Sequence, residues 1–238
     1  MRLISVAALC LATACAPIVV TPTAPTAPPV TQASSAPPVS QRQAVNNFNI
    51  AAARVEPVAE QFCRRARPRE NCDFQIVVDN RPGQPVNAYQ TLDRNGRPII
   101  AFTVPLIAEA RNADEIAFVM AHEAAHHIEG HIARQQTNAT VGGLLVGGLA
   151  GALGVNDAQS LDTLTRVGAT VGARTYSKAF ELEADALGTR IAAAAGFDPL
   201  RGAQFFFRVP DPGDRFLGTH PPNADRLRTV ERVAASLN

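Results

Sequence analysis

The stretch HEAAH at residues 122–126 decides how the rest of this sequence is interpreted. Residues four apart lie on one face of a helix, so the imidazoles of His122 and His126 can bind one Zn²⁺ together, at about 2.0–2.1 Å each. Glu123 is rotated by about 100° around the helix. Its carboxylate then lies beside the metal, where it can take a proton from bound water. The spacing therefore predicts a catalytic zinc site with one Zn²⁺ per chain.

The sequence around this stretch predicts one long helix. Asn112 is a typical N-cap residue, and Glu115 three positions later completes a capping box. Apolar residues then recur at helical spacing, and we expect the helix to continue through Ala133. His127 and His131 lie off the face of the two predicted ligands, and about 500° separates His126 from His131. We therefore expect His131 to point away, and both residues to pack or to support the site from outside.

A catalytic zinc needs a third protein ligand and an open coordination position. The candidate stretch is ELEAD at residues 181–185, within a predicted helix from about Ser177 to Ala195. Glu181 and Asp185 are one turn apart. One can bind the metal, and the other can accept the free ring N–H of a ligating histidine. The residue types alone do not decide between the two, and Glu183 is expected to face solvent.

The order of predicted elements favours the α+β class. Gln43–Arg65 reads as a helix with a break or kink at Pro57. Three short strands follow, and helices occupy the rest of the chain, which argues against a βαβ sheet. Because the third strand is short and begins with Pro98, we expect it at an edge of the sheet. The predicted strands are 74–79, 86–92 and 98–103.

The N-terminal segment predicts export and a lipid anchor. Residues 1–14 have a basic start and an apolar run that is too short to span a bilayer, which needs about 20 residues. Small residues precede Cys15, which is typical of a lipoprotein signal peptide with lipidation at that cysteine. Cleavage near Ala16 without a lipid and an uncleaved anchor are the alternatives. Residues 15–42 are rich in proline, alanine and threonine and predict an extended linker; the folded body is residues 43–238.

The two remaining cysteines predict a disulfide. Cys63 and Cys72 bracket a short polar loop, and a pair this close in an exported protein is most simply cross-linked. Closing so small a loop would stabilise the fold by roughly 2–3 kcal/mol in the chain-entropy model. The alternative is a pair of metal thiolates, which is disfavoured because no further cysteine remains to complete such a site.

Composition excludes one class of partner. The 238 residues include 22 basic and 21 acidic side chains, for a net charge of +1. Binding of nucleic acid through bulk charge needs a basic surplus that is absent here. The chain also has no tryptophan and only two tyrosines, so a platform for stacking bases or sugars is not expected.

Residues 137–156 are uncharged and rich in glycine. Gly143, Gly147 and Gly151 have the small-xxx-small spacing of closely packed membrane helices. A membrane span is nevertheless the less favoured interpretation, because the many glycines lower both hydrophobicity and helix propensity. We expect an apolar, mobile helix or loop near the active-site cleft.

Together these motifs resemble the CAAX-prenyl-protease/HtpX-type zinc metallopeptidases of the gluzincin clan, and in particular their periplasmic lipoprotein branch. Three further stretches match that family, at residues 87–89, 195–199 and 218–222. The resemblance covers about Val45 to Leu237. It implies a mostly helical zincin-like metallopeptidase domain with a small three-stranded sheet. It also implies that Glu181 is the third ligand, which leaves Asp185 to support a ligating histidine.

The same resemblance implies roles for two other parts of the chain. His220 would face the metal, either to stabilise the oxyanion of the tetrahedral intermediate or to close the open zinc position as a latch. The glycine-rich segment could act as a lid over the cleft. The predicted edge strand leads, apart from the resemblance, to a third expectation: a substrate peptide would lie along it, near residues 99–103, and add main-chain hydrogen bonds to the sheet.

The resemblance therefore predicts a zinc-dependent endopeptidase. It would be lipid-anchored at the periplasmic side of the outer membrane of a Gram-negative cell envelope, in line with Ala16 after the lipidated cysteine. Its substrates would be misfolded or unassembled envelope proteins, with the outer-membrane assembly machinery as a further partner. Three alternatives stay open: a chaperone-like assembly factor whose zinc cleft binds chains, a latent protease, and a structural lipoprotein with a closed zinc site.

Overall fold

The computed structural model describes residues 39–175, 177–208 and 222–237. The predicted signal peptide, most of the predicted linker, Cys15 and His220 lie outside these residues. The predicted class is confirmed, since a mostly helical domain surrounds a small three-stranded sheet. The elements in chain order are α1 (Gln41–Ala66), β1 (Gln75–Asp79), β2 (Ala88–Leu92), β3 (Pro98–Thr103), α2 (Val104–Glu109), α3 (Ala113–Ile128), α4 (His131–Ala152), α5 (Ala158–Thr175), α6 (Ser177–Ala194), α7 (Pro199–Ala203), a 3₁₀ turn (Gln204–Phe207) and α8 (Asn223–Ala235).

Helix α1 runs through Pro57 without the predicted break. Its buried residues recur every three or four positions, which gives it a stripe against the core that is apolar except for Asn47. The packing of that stripe offsets the hydrogen bond that a proline removes from a helix interior. At the end of α1, Cys63 forms a disulfide with Cys72. The bond closes a loop that lies against the end of α3.

The sheet has the strand order β1-β3-β2, with β1 parallel and β2 antiparallel to β3. The prediction that the third strand lies at an edge is therefore wrong. Pro98 is compatible with a central strand because it is the first residue of β3, where a missing N–H removes only the end of the ladder. The interior of β3 is buried, as a central strand requires. The two outer strands of the described sheet are β1 and β2.

Helix α3 lies in the middle of the core, between α1, α6 and the sheet. Helix α6 crosses it closely at one glycine, because a Cβ added at Gly188 would lie 3.0 Å from backbone atoms of His122. This close approach brings the predicted ELEAD stretch of α6 next to the HEAAH stretch of α3. The core thus positions the two motifs that are 55 residues apart along the chain.

The predicted continuous helix through Ala133 is wrong, because α3 ends at Ile128 and α4 begins at His131. Gly130 between them has a left-handed backbone with φ of 67°, which glycine adopts without strain. The side chain of Arg67 closes the turn. Its Nε donates to the carbonyl of Ile128 at 2.8 Å, and its guanidinium fills the space that a Cβ at residue 130 would need.

Helices α4 and α5 form a hairpin whose two helices pack mainly against each other and make few contacts with the other elements. The glycine-rich segment is helical, and glycines of both helices bring the two backbones into contact. Outward from the hairpin, Leu144, Leu145, Leu149 and Leu153 are between 62% and 76% exposed. No helix in the described ranges is both long and apolar enough to cross a bilayer.

The glycine contact predicts a large difference between two substitutions in α4. A Cβ at Gly142 would collide with the backbone carbonyl of Gly168, whereas a Cβ at Gly148 would meet nothing within 4 Å. We expect Gly142→Ala to destabilise the domain by about 1–3 kcal/mol through overpacking. The control Gly148→Ala should instead stabilise it by up to about 1 kcal/mol through helix propensity. Chemical denaturation of both variants measures the difference, and equal stabilities would contradict this packing.

Candidate metal centre

Three side chains predicted as metal ligands converge between α3 and α6. The Nε2 atoms of His122 and His126 lie 3.0 Å apart. The Oε2 atom of Glu181 lies 3.4 Å from Nε2 of His122, and its Oε1 atom lies 3.4 Å from Nε2 of His126. Among the described residues, these three form a group of ligand atoms that all lie within 4.8 Å of one another. The helical spacing of the histidines and the crossing of α6 thus produce a group that could hold one metal ion.

The chemistry of the three donors fits a divalent metal with borderline-soft character. Two imidazole nitrogens and one carboxylate oxygen are a common set for a catalytic zinc, which keeps a further position for water or substrate. Hard cations such as Mg²⁺ and Ca²⁺ prefer all-oxygen sites. The donor set therefore fits zinc better than it fits those ions.

Asp185 lies next to His122, on the side away from the cluster. Its carboxylate is completely buried, and Oδ1 lies 2.9 Å from the Nδ1 atom of His122. Arg226 of α8 donates to both carboxylate oxygens, at 2.8 and 2.7 Å, and compensates the buried negative charge. The guanidinium also stacks over the ring of Phe206 at 3.7 Å. Asp185 can therefore accept the Nδ1 proton of His122 while its Nε2 faces the cluster.

His131 is placed differently from the prediction. The turn at Gly130 changes the direction of the chain, so His131 contacts the ring of His126 and does not point away. Glu183, predicted to face solvent, is 40% exposed at its side chain and binds both His131 and Arg134. His127 packs as predicted, with its ring against Phe74 and Nε2 2.9 Å from the carbonyl of Asn71.

The electrostatic balance of the cluster differs between its two histidines. Burial opposes protonation of His122, but hydrogen bonds with Asp185 and Glu181 outweigh burial and raise its pKa. Burial and the nearby charge of His122 lower the pKa of His126. A ligating imidazole must be neutral at the metal-binding nitrogen, so a proton and a metal ion would compete for His122. Lower pH therefore favours the proton over the metal.

The side chain of Glu123, on α3, lies near the backbone of Gln90 in the outer strand β2. Burial is the main cause that raises the pKa of its carboxyl group, and a hydrogen bond from the backbone of Gln90 in β2 works in the opposite direction. A carboxylate with a raised pKa is a better proton acceptor at neutral pH than an ordinary glutamate. Its position next to His122 and Glu181 suits the transfer of a proton at the cluster.

Two cavities adjoin the cluster, with volumes of about 250 and 330 Å³. Both are lined by Asn87 and Ala88 at the start of β2 and by His122, Glu123 and Glu181. The smaller cavity is otherwise mainly apolar; its lining includes Leu106, Phe118, Val119, Phe205 and Phe206. The larger continues along β2 and past α4; its lining includes Tyr89, Gln90, Ile132 and Gln135. An extended chain along β2 would therefore pass directly over the cluster.

Arg226 and the pairing of His131 with His126 had no usable signal in the local sequence. Arg226 lies 41 residues from Asp185, and no periodicity relates α8 to α6. The contact of His131 depends on the turn at Gly130, and the pair Glu129-Gly130 was the only local signal for that turn. The remaining predicted site residue, His220, lies outside the described ranges.

Comparison with known proteins gives a family for this arrangement. The sequence model of a protein family, described as Peptidase family M48, matches residues 49–234 of this chain. The chain is 34% identical, over 142 residues, to a protein of Vibrio cholerae serotype O1 named as a beta-barrel assembly-enhancing protease. The matched segment covers 54% of this chain and 29% of the relative.

A second relative is the mitochondrial metalloendopeptidase OMA1 of Saccharomyces cerevisiae. The chain is 28% identical to it over 178 residues, which cover 69% of this chain and 48% of that protein. This chain thus spans less than half the length of either of these curated relatives. The matched segments in both comparisons are long enough to include much of the body that carries the cluster.

Proposed function

We propose, because this chain belongs to peptidase family M48, that it is a zinc-dependent endopeptidase that hydrolyses peptide bonds in protein substrates. The observation that carries the proposal is the convergence of His122, His126 and Glu181, with Glu123 beside them and a cleft along β2. In this proposal the first three residues bind Zn²⁺, and Asp185 orients His122. Glu123 serves as general base and acid.

A bound Zn²⁺ would polarise the scissile carbonyl and lower the pKa of its water toward about 7. The Glu123 carboxylate takes a proton from the attacking water and delivers it to the nitrogen of the leaving amine. Its raised pKa supports this double role, because a carboxylate must hold the proton long enough to transfer it. The proposed role of His220, to hold the oxyanion or to close the open position, rests on the family resemblance.

The substrate position is changed from the sequence-based prediction. Both edges of β3 are occupied by β1 and β2, so a peptide cannot pair with residues 99–103. Strand β2 is the outer strand that lines both cavities, and we propose that the peptide adds to the sheet there. Backbone pairing along β2 would place the scissile bond next to Glu123 independently of most substrate side chains.

We further propose that the domain, residues 43–238, is held at the periplasmic side of the outer membrane by a lipid on Cys15 and the linker at residues 15–42. The substrates would be misfolded or unassembled envelope proteins. Support comes from the lipobox-like sequence before Cys15 and from the name of the Vibrio cholerae relative, which refers to β-barrel assembly. The reference to assembly in that name is also the reason to keep the second candidate function, an assembly factor whose cleft binds chains, although the same name calls the relative a protease.

Removal of the metal tests the proposed chemistry directly. We expect dialysis against a strong chelator to abolish casein digestion, and one equivalent of Zn²⁺ to restore it, because the cluster supplies ligands for one ion. Metal analysis of the purified protein should give one zinc per chain. Full activity in the chelated protein would contradict a metallopeptidase. Zinc-dependent binding of an unfolded outer-membrane protein without cleavage would favour the assembly factor.

A further inference from the structure

The two histidines of the cluster have different partners at the nitrogen that faces away from it. The Nδ1 atom of His122 lies 2.9 Å from the carboxylate of Asp185. The Nδ1 atom of His126 instead lies 2.8 Å from the Nδ1 atom of His131. We propose that His131 is a positioning residue for the metal centre: its neutral ring accepts the Nδ1 proton of His126 and thereby holds the Nε2 atom of His126 toward the metal.

The chemistry of a ligating imidazole requires this assignment of protons. A histidine that binds a metal through Nε2 has its lone pair there and carries its proton on Nδ1, which needs an acceptor in a buried site. Two ring nitrogens 2.8 Å apart form a hydrogen bond only if one donates and the other accepts. His126 is the donor, so His131 accepts at Nδ1 and carries its own proton on Nε2.

Glu183 and Arg134 maintain that arrangement. The Nε2 atom of His131 lies 3.1 Å from Oε2 of Glu183, and an ionised carboxylate can only accept a hydrogen bond. Arg134 donates to both oxygens of the same carboxylate. Since both oxygens of Glu183 accept from the Arg134 guanidinium, this carboxylate is in place to accept from His131 as well. The acceptor at one side of His131 thus fixes which of its nitrogens is free at the other side.

The ring of His131 is also held in place by packing. The residue is only 4% exposed, and its ring stacks on Phe180 at 4.6 Å between centroids, with 9° between the planes. Arg134 lies over the same phenylalanine at 4.2 Å. The left-handed turn at Gly130 directs His131 back toward α3. A buried ring with fixed neighbours on several sides can restrict the orientation of the ligand that it contacts.

The inference rests on the proposed metal site, and the test measures metal affinity as well as activity. Asparagine at position 131 can place Oδ1 where Nδ1 of the histidine lies, and leucine has nearly the same shape without an acceptor. We expect His131→Leu to lower the affinity for Zn²⁺ about 10–100-fold, the usual effect of losing such a partner. His131→Asn should retain most of the affinity. Titration of the chelated full-length protein with Zn²⁺ against a chromogenic chelator measures both variants.

The other outcomes are distinguishable. A purely structural role for His131 predicts that leucine performs as well as or better than asparagine, because it packs well against Phe180; that result would overturn the inference. Equal affinity in the wild type and both variants would do the same. Thermal unfolding of the chelated proteins shows whether both variants are folded. If the wild type itself binds no zinc, or if His126→Ala binds it as tightly as the wild type, the proposed function fails first.

Discussion

Replacing Glu123 with glutamine is expected to lower peptide hydrolysis about 10²–10⁴-fold, the usual contribution of a general acid–base residue. The amide is nearly the same size as the carboxylate but cannot accept a proton from the attacking water. The metal should remain bound, because Glu123 is not among the three residues whose ligand atoms converge. Casein digestion and metal analysis of the same preparation separate the loss of chemistry from the loss of the ion.

Glu129→Gln is a matched control for this variant. Glu129 follows α3 as its C-cap residue and lies outside the lining of both cavities at the cluster. It should therefore keep full activity. A Glu123→Gln enzyme that still digests casein at the wild-type rate would show that another group transfers the proton, and the proposed mechanism would be wrong.

Replacing His126 with alanine is expected to remove the metal and, with it, all measurable proteolysis. The substitution deletes one of the converging ligand atoms and leaves one histidine and one carboxylate. Loss of a supporting hydrogen-bond partner alone typically costs about 10–100-fold in metal affinity, and loss of a ligand should exceed this. Titration with Zn²⁺ against a chelator and metal analysis after purification measure the effect.

His127→Ala is the control for this second variant, because the adjacent imidazole faces the loop at Asn71 and not the cluster. It should bind one zinc with nearly wild-type affinity, because Arg67 still holds the end of α3, although the lost contact with Phe74 should lower the melting temperature. If His126→Ala kept one zinc per chain at wild-type affinity, the ion would be bound elsewhere, and the proposed ligand set would be wrong.

Local periodicity predicted the part of the site that lies on one helix. The spacing of His122 and His126 is a property of five consecutive residues, and the cap at Asn112 was also correct, since its side chain accepts from the N–H of Glu115 at 3.0 Å. The pairing with Glu181 is not local. It was anticipated from the family resemblance, because residue types alone could not choose between Glu181 and Asp185.

The errors have a common physical cause in contacts that a local pattern does not contain. The direction of His131 was derived from a continuous helix, and one glycine in a left-handed conformation changed it. The position of β3 was inferred from Pro98, although a proline at the first residue leaves the rest of the strand free to pair on both sides. Arg226 is held by a carboxylate 41 residues away, and no local pattern indicates such a partner.

The cross-linked loop between Cys63 and Cys72 has a consequence for the rigidity of the proposed metal site. Two groups in this loop hold the last turn of α3. The side chain of Arg67 donates to the carbonyl of Ile128, and the carbonyl of Asn71 accepts a hydrogen bond from the ring of His127. The helix turn that carries His126 is thus stabilised by a segment that a disulfide closes. With the two thiols reduced, these contacts would depend on non-covalent packing alone, so formation of the disulfide would complete the rigid frame around the proposed metal site.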